Sequence, residues 1–265
     1  MAASRLPLLD IALFPADPSA FAAELRRACH RVGFFTLRHR LPPGLAESAL
    51  DVSRRFFALP ADAKARIDYS RSPAFRGYMR AGVENTAGRV DLREQLELAP
   101  DAPPTDARAT PPWRRLAGAN QWPDDSLPAL RPRIEEYIEA MLRLSHELTG
   151  ALALALGLSA ADFAPLFADG GPHWQLKLAS YLPAAEAADE GGAQGCGAHT
   201  DSGFLTLLLQ DDAGGLQAFT EGAWRDVPPA GPDVLVCNLG EVRRARAARR
   251  RQNSWARVDQ GDVLG

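Results

Sequence analysis

Apolar side chains recur every three or four residues in three long segments, which begin at Asp17-Pro18, at Pro42-Pro43 and near Leu130. This spacing places the apolar side chains on one face of a helix. Prolines at the start of the first two segments, and Gly157 after the last one, match the residue preferences of helix ends. The pattern therefore predicts three amphipathic helices, of which the last is a long buried helix that ends near Leu156.

The second half of the chain changes to short apolar runs separated by glycine, proline and acidic residues. Such runs between turn residues are typical of β-strands. The predicted strands are Leu6–Ile11 and Phe34–Leu37 in the first half, then Trp174–Leu182, Phe204–Gln210, Leu216–Thr220, Trp224–Val227 and Val234–Asn238. Short strands in close succession favour a sandwich or jelly roll.

The segment from Tyr69 to Ala99 shows neither period and is dense in glycine, arginine and aromatic residues. We expect a structured loop here, and a loop of this length in a compact domain is often functional. The structural alternative is that its arginines pair with its own acidic residues. Asp101 to Pro112 also lacks a period and marks a boundary near residue 110.

Length and composition narrow the class of protein. The 265 residues are enough for one large domain or two closely packed ones. The three cysteines have no metal-like spacing, which argues against a zinc site or a disulfide framework and favours a reducing compartment, the cytoplasm. We predict no secretory leader, and no apolar run is long enough to cross a membrane.

Charge is distributed unevenly along the chain. The net charge is −3, but Val242 to Gly265 alone carries +5 and the residues before it carry −8. The acidic remainder argues against a nucleic-acid surface. The arginine- and alanine-rich run after Glu241 lacks strand alternation, so we expect a helical or disordered tail. A basic arm for nucleic acid or another anionic surface is the functional alternative.

His199 and Asp201 stand two residues apart, just before the apolar run that begins at Phe204. On extended backbone such residues project to the same side, so the imidazole and the carboxylate would converge. The pair supplies two of the three ligands of a facial iron(II) site built from two histidines and one carboxylate. The structural alternative is a turn or a surface hydrogen bond. Cys196, three residues before His199, would point away on a regular strand.

Several motifs follow one another in a familiar order, and from residue 6 to residue 241 the sequence resembles the isopenicillin N synthase-like branch of the iron(II)- and 2-oxoglutarate-dependent dioxygenases. The motifs that carry this resemblance are Gly33-Phe34-Phe35, Phe56 to Pro60, Arg76-Gly77-Tyr78, Glu84-Asn85-Thr86, Asp91 to Glu94, Gly197 to Asp201, Leu205 to Leu208, Gly214 to Gln217, Trp224 and Asn238 to Glu241. Several motifs in one order are far more specific than one.

The resemblance implies an α+β fold, with a helical N-terminal region over residues 1–110 and a double-stranded β-helix, or jelly-roll, core over 111–241. It implies iron(II) held by His199 and Asp201, 2-oxoglutarate as co-substrate, and oxidation of a small organic substrate. Tyr78 and Tyr181 are the residues that we expect to wall the substrate or co-substrate. The resemblance identifies neither the substrate nor the oligomeric state.

The chain departs from the family after Glu241. Its histidines are at positions 30, 39, 146, 173 and 199, so none follows Asp201, where the family has its second histidine, and the family's Arg-x-Ser motif is absent. We therefore expect a jelly roll that is incomplete at its C-terminal end, an altered tail over 242–265, and no competent iron site unless His173 or Cys196 supplies a ligand. The alternative function is a non-catalytic remnant that binds a ligand or partner through the same cleft.

Overall fold

The computed structural model describes residues 6–103, 108, 111–163, 173–182, 194–241 and 255–258. Its α-helices are α1 (Pro18–Arg31), α2 (Leu45–Phe57), α3 (Ala61–Ala65), α4 (Leu130–Ala155) and α5 (Ala160–Phe163), with short 3-10 helices at Ile11–Leu13, Tyr69–Arg71 and Pro112–Leu116. The strands are β1 (Leu8–Asp10), β2 (Phe34–Arg38), β3 (Gly77–Met79), β4 (Asn85–Thr86), β5 (Arg89–Val90), β6 (Arg93–Leu98), β7 (Leu176–Tyr181), β8 (Cys196–His199), β9 (Leu205–Leu209), β10 (Leu216–Thr220), β11 (Ala223–Asp226), β12 (Val234–Leu239) and β13 (Trp255–Val258).

The predicted helices form where the apolar spacing places them. Asp17 accepts a hydrogen bond from the backbone N–H of Ala20, which caps α1 directly before Pro18. Along α4, Leu148 belongs to the buried cluster that contains Leu25 of α1. Burial of these apolar side chains is the main force that holds the helices against each other.

Two four-stranded sheets form the jelly-roll core. One has the strand order β1-β2-β12-β9, and the other has the order β11-β10-β13-β8. Phe34 and Val236 from the first sheet share a buried cluster with Leu216 and Ala218 from the second. The apolar core therefore lies between the two sheets, as in the predicted α+β jelly roll.

Strand β13 corrects the prediction for the tail. It lies between β10 and β8 and pairs antiparallel with both, so residues after Glu241 contribute to the second sheet. The expectation that the tail 242–265 adds no strand, and so leaves the jelly roll open at this place, is wrong for Trp255–Val258. Four residues are too few for alternation to stand out, and strand pairing on both sides decides their conformation. Residues 242–254 and 259–265 lie outside the described residues.

Much of the segment 69–99 forms strands rather than the structured loop that the sequence predicts. β6 pairs antiparallel with β3 on one side and with β7 on the other. Its buried positions include Gln95 and Glu97, so the buried residues of the strand are not all apolar and the apolar pattern does not predict it. Glu97 accepts a hydrogen bond of 3.1 Å from Gln95 and lies 2.8 Å from the amino group of Lys177, so the buried charge is paired.

The predicted boundary near residue 110 adjoins residues 104–107 and 109–110, which lie outside the described residues, and it stays a prediction. None of the helices in the described part of the chain has an apolar stretch long enough to cross a bilayer.

Candidate active site

His199 and Asp201 converge at the end of β8. The Nε2 atom of His199 lies 3.5 Å from Oδ1 of Asp201, and the two side chains are 36% and 25% exposed. Two donors bound to adjacent positions of one metal ion at about 2.1 Å are separated by roughly 3 Å. The distance between the two atoms and the partial exposure of the side chains therefore suit a metal ion that both side chains bind and that enters from solvent.

The other ring nitrogen of His199 is already occupied. Nδ1 lies 2.8 Å from the carbonyl oxygen of Gly197, which can only accept, so Nδ1 carries the proton and donates. In the neutral ring the lone pair is then on Nε2, which faces Asp201. This hydrogen bond sets the tautomer and the ring orientation that a metal-binding histidine requires.

A β-bulge in β8 brings Cys196 beside His199. Cys196 pairs with Val258 and His199 pairs with Ala256, so four residues of β8 oppose three residues of β13. The expectation that Cys196 points away is therefore wrong, because the extra residue returns it to the same face. Its sulfur lies 3.6 Å from Nδ1 of His199, on the side of the ring away from Asp201.

Two strand residues hold the second carboxylate oxygen of Asp201. Thr206 on β9 donates a hydrogen bond of 2.6 Å, and Asn238 on β12 donates one of 2.9 Å, both to Oδ2. Thr206 and Asn238 are themselves paired across the two strands. The carboxylate is thereby oriented with Oδ1 toward His199.

Sequence reasoning did not assign a role to Thr206 or Asn238, although both lie within the motifs that carry the resemblance. The available signal is that each is a polar residue inside an otherwise apolar strand, Leu205–Leu209 and Val234–Leu239. Buried polar groups in strands need hydrogen-bond partners, so such residues mark positions where a strand serves a site.

The pair has the charges of an imidazolium and a carboxylate when no metal is bound. Interaction with Asp201, and then with Cys196, raises the pKa of His199 to about 10 despite burial. Burial raises the pKa of Asp201, but hydrogen bonds from His199, Thr206 and Asn238 outweigh it and lower the pKa to about 2. A metal ion at this place would have to displace the proton from Nε2 of His199.

The backbone around Asp201 is fixed by the end of β12. The backbone N–H of Glu241 donates to the carbonyl oxygen of Asp201 at 2.8 Å, and the N–H of Gly240 donates to that of Phe204 at 3.1 Å. A Cβ atom at Gly240 would lie 2.1 Å from the carbonyl oxygen of Gly203. This close approach requires glycine at position 240.

Asp91 attaches β8 to the N-terminal region. It is 1% exposed, and its carboxylate accepts hydrogen bonds from the backbone N–H of Gly197, from Gln194 and from Thr86. A Cβ atom at Gly197 would lie 2.7 Å from Cβ of Thr86 and 2.3 Å from the hydrogen-bonded amide of Gln194, so this position also favours glycine. The contacts connect the 69–99 segment directly to the strand that carries His199.

Tyr78 is a packed residue of the N-terminal region. It is 7% exposed and lies in the cluster that contains Phe56 and Leu96. Its hydroxyl donates a hydrogen bond of 2.6 Å to Glu94. Burial, and then the hydrogen bond to Glu94, raises its pKa. These contacts are those of a residue that packs in the core and hydrogen-bonds to a neighbour. They give no support to the prediction that Tyr78 forms part of the wall of a substrate site.

Tyr181 lies at the end of β7 and is 38% exposed. It pairs with Arg93 of β6, whose guanidinium interacts with its hydroxyl. The Arg93 guanidinium also donates to Glu84 through Nε at 3.0 Å. An exposed tyrosine beside a partly buried arginine is compatible with a wall of the site, and that role stays a prediction.

A third ligand is missing from the described part of the chain. No group of three or more histidine, cysteine, aspartate or glutamate side chains is placed there to hold a metal ion. All histidines and cysteines of the chain are among the described residues. His173 is exposed before β7, and no contact between described residues joins it to His199. The donors present suit iron(II) in kind, but two of them do not complete a facial site.

Comparison with known proteins agrees with this arrangement of sheets. Residues 6–125 match the family model described as the N-terminal region of non-haem dioxygenases in morphine synthesis. Residues 173–259 match the model of the 2OG-Fe(II) oxygenase superfamily. The second match extends past Glu241 through β13, in agreement with the correction to the tail.

A curated relative, homoarginine-6-hydroxylase 2-ODD-C23 of Glycine max, is 34% identical over 90% of this chain and 76% of its own length. The crystal structure of a 2OG-Fe(II) oxygenase family protein from Caulobacter crescentus is 28% identical, with a TM-score of 0.77, and covers 97% of this chain and 81% of that protein. A full-length Neurospora crassa protein, crystallised in complex with alpha-KG, shares the fold with a TM-score of 0.80 at 23% identity, over 98% of this chain and 80% of that one.

The jelly roll, together with the two matching family models, defines a non-haem oxygenase class. The chain belongs to the iron(II)- and 2-oxoglutarate-dependent dioxygenase family. The predicted fold, the oxidoreductase class acting on small organic molecules, and the predicted iron(II) and 2-oxoglutarate are confirmed at the level of this family.

Proposed function

We propose that His199 Nε2 and Asp201 Oδ1 are metal ligands and that the chain oxidises a small organic molecule with iron(II) and 2-oxoglutarate. The observation that supports this proposal is the orientation of both side chains by hydrogen bonds to their other atoms. Nδ1 of His199 is bound to Gly197, and Oδ2 of Asp201 is bound to Thr206 and Asn238. A bound iron(II) would supply the oxygen chemistry, and the two side chains would hold it.

The substrate is proposed to be a small molecule, in keeping with the hydroxylation of homoarginine by a relative. Tyr181 is proposed to contribute to the wall of the cleft beside Arg93. The cytoplasm is the proposed location, and the three cysteines, none of which forms a disulfide, are compatible with a reducing compartment.

We further propose that the chain binds iron(II) weakly. Two protein ligands leave more coordination positions to water than a facial triad does. The family's Arg-x-Ser motif, which would bind the distal carboxylate of 2-oxoglutarate, is absent from the sequence. Catalysis is therefore expected to be slow relative to that of a family member with a complete site.

Titration of the full chain with Mn²⁺ or Co²⁺, followed by calorimetry, tests the ligand assignment. We expect weak binding that falls at least about tenfold in His199→Ala and in Asp201→Ala. His146→Ala is the matched control, since this histidine is exposed on α4. Equal affinity in the unaltered chain and in both site variants would contradict the proposal.

The missing third donor favours a second candidate function, a non-catalytic protein that binds a small ligand or partner in the same cleft. Release of succinate that requires both iron(II) and 2-oxoglutarate distinguishes the two functions. Its absence at saturating iron(II), together with retained binding of 2-oxoglutarate, would favour the second candidate.

A further inference from the structure

The register of β8 against β13 identifies the backbone position that faces His199. Ala256 of β13 is the direct cross-strand partner of His199. Partners in an antiparallel pair project to the same face, with Cβ atoms about 4.5–5.5 Å apart. A side chain at position 256 therefore extends beside the imidazole of His199.

The surroundings of Ala256 show which way this face points. On its other side Ala256 pairs with Ala218 of β10, which is fully buried. Ala256 packs at the margin of the cluster formed by Phe34, Val236 and their neighbours, and it is only partly buried. It therefore faces inward between the two sheets and retains an open side, as His199 does.

We propose that position 256 is the third ligand position of this metal site and that alanine there leaves the site one donor short. This inference rests on the proposed roles of His199 and Asp201. A methyl group offers no lone pair, whereas a longer side chain with a donor atom at this position would approach the pair from the neighbouring strand. The side chain at position 256 would then decide how tightly the site binds a metal ion.

Two other side chains near His199 and Asp201 could bind a metal ion, but neither is placed to do so. The sulfur of Cys196 lies on the Nδ1 side of His199, away from the Nε2 atom that faces Asp201. The carboxylate of Glu241 accepts a hydrogen bond of 2.6 Å from the hydroxyl of Thr200. Position 256 is therefore the place where a single substitution would add a donor to the described site.

The test is Ala256→His in the full chain, compared with Ala256→Leu, which adds similar bulk but no donor atom. We expect Ala256→His to bind Co²⁺ at least about 100-fold more tightly than either the unaltered chain or Ala256→Leu. Binding should also change the visible spectrum of Co²⁺, which reports a nitrogen-containing donor set without any need for turnover. Circular dichroism shows whether the larger histidine disturbs folding. Ala256→Asp introduces a smaller donor side chain, and it should also bind Co²⁺ more tightly than Ala256→Leu, although by a smaller factor than Ala256→His.

Combination with His199→Ala separates this inference from the proposed function. The gain should disappear in the double variant His199→Ala/Ala256→His, which would place both residues on one ion. Equal affinity of Ala256→His, Ala256→Asp and Ala256→Leu would overturn the inference, while loss of weak binding in His199→Ala alone would still support the proposed function. A gain that persists without His199 would also overturn it, because the metal would then be bound elsewhere.

Discussion

Two polar clusters in this molecule differ in how deeply they are buried and in how many protein partners their atoms have. In the N-terminal region, Lys64 donates to Glu94 at 2.6 Å and to the carbonyl oxygen of Phe57 at 2.8 Å, and Tyr78 donates to the same Glu94. Lys64 and Glu94 are 9% and 13% exposed. At the end of β8, the His199 and Asp201 side chains are two to four times more exposed, and Nε2 of His199 lies 3.5 Å from Oδ1 of Asp201.

The difference indicates which cluster is structural and which can bind a ligand. Each group of the Lys64 cluster has a protein partner, so adding a ligand would break existing hydrogen bonds. In the His199 cluster, Nδ1 of His199 and Oδ2 of Asp201 are hydrogen-bonded to other residues of the protein. Among the described residues, Nε2 of His199 and Oδ1 of Asp201 have only each other.

The largest effect is expected when the buried pair is broken. Lys64→Met should lower the free energy of unfolding by about 3 kcal/mol, because Glu94 is left buried without its cationic partner. Denaturant unfolding followed by circular dichroism measures this change. The double variant Lys64→Met/Glu94→Gln should recover part of the loss. Arg143→Ala is the control, since it removes an exposed pair with Glu139 and should leave stability nearly unchanged.

A smaller effect is expected when the support of Asp201 is removed. Thr206→Val keeps the branched shape of the side chain but removes the hydroxyl that binds Oδ2. The affinity for Co²⁺ should fall about tenfold, because the carboxylate is less well oriented. Thr220→Val is the matched control, since it makes the same substitution at a buried threonine of β10. Equal losses in both variants would mean that the hydroxyl of Thr206 has no specific role at the site.

The smallest effect is a pH dependence in the N-terminal region. Burial raises the pKa of Glu84, but Arg93 and Lys177 outweigh it and lower the pKa below its usual value. A lowered pKa adds stability above the unfolded-state pKa of about 4.5, and this stability is lost as the pH falls further. Glu84→Gln should therefore lose less stability than the unaltered chain between pH 5 and pH 3, by less than about 1 kcal/mol.

Glu139→Gln provides the baseline for this measurement, because Glu139 is 72% exposed and forms a distant pair with Arg143. Parallel acid unfolding curves of the unaltered chain and Glu84→Gln would show that the pair with Arg93 contributes nothing measurable to stability.

Local patterns predicted the elements whose burial follows a simple period. The face of α4, the apolar run at Leu205–Leu209 and the cap at Asp17 are all set by residues close in sequence. The convergence of His199 and Asp201 was also predictable, since an i, i+2 relation on extended backbone does not depend on the rest of the fold. The strand β6 was missed because its buried glutamine and glutamate are satisfied by residues from other strands.

By itself the sequence determined that a histidine and an aspartate stand together before an apolar strand and that no histidine follows them. Only the tertiary structure decided what surrounds that pair. The bulge that turns Cys196 toward His199, and the register that places Ala256 opposite it, depend on how β8 and β13 align. Strand alignment is set by contacts between residues far apart in the chain, and a shift of one residue reverses every side chain, so no local pattern specifies it.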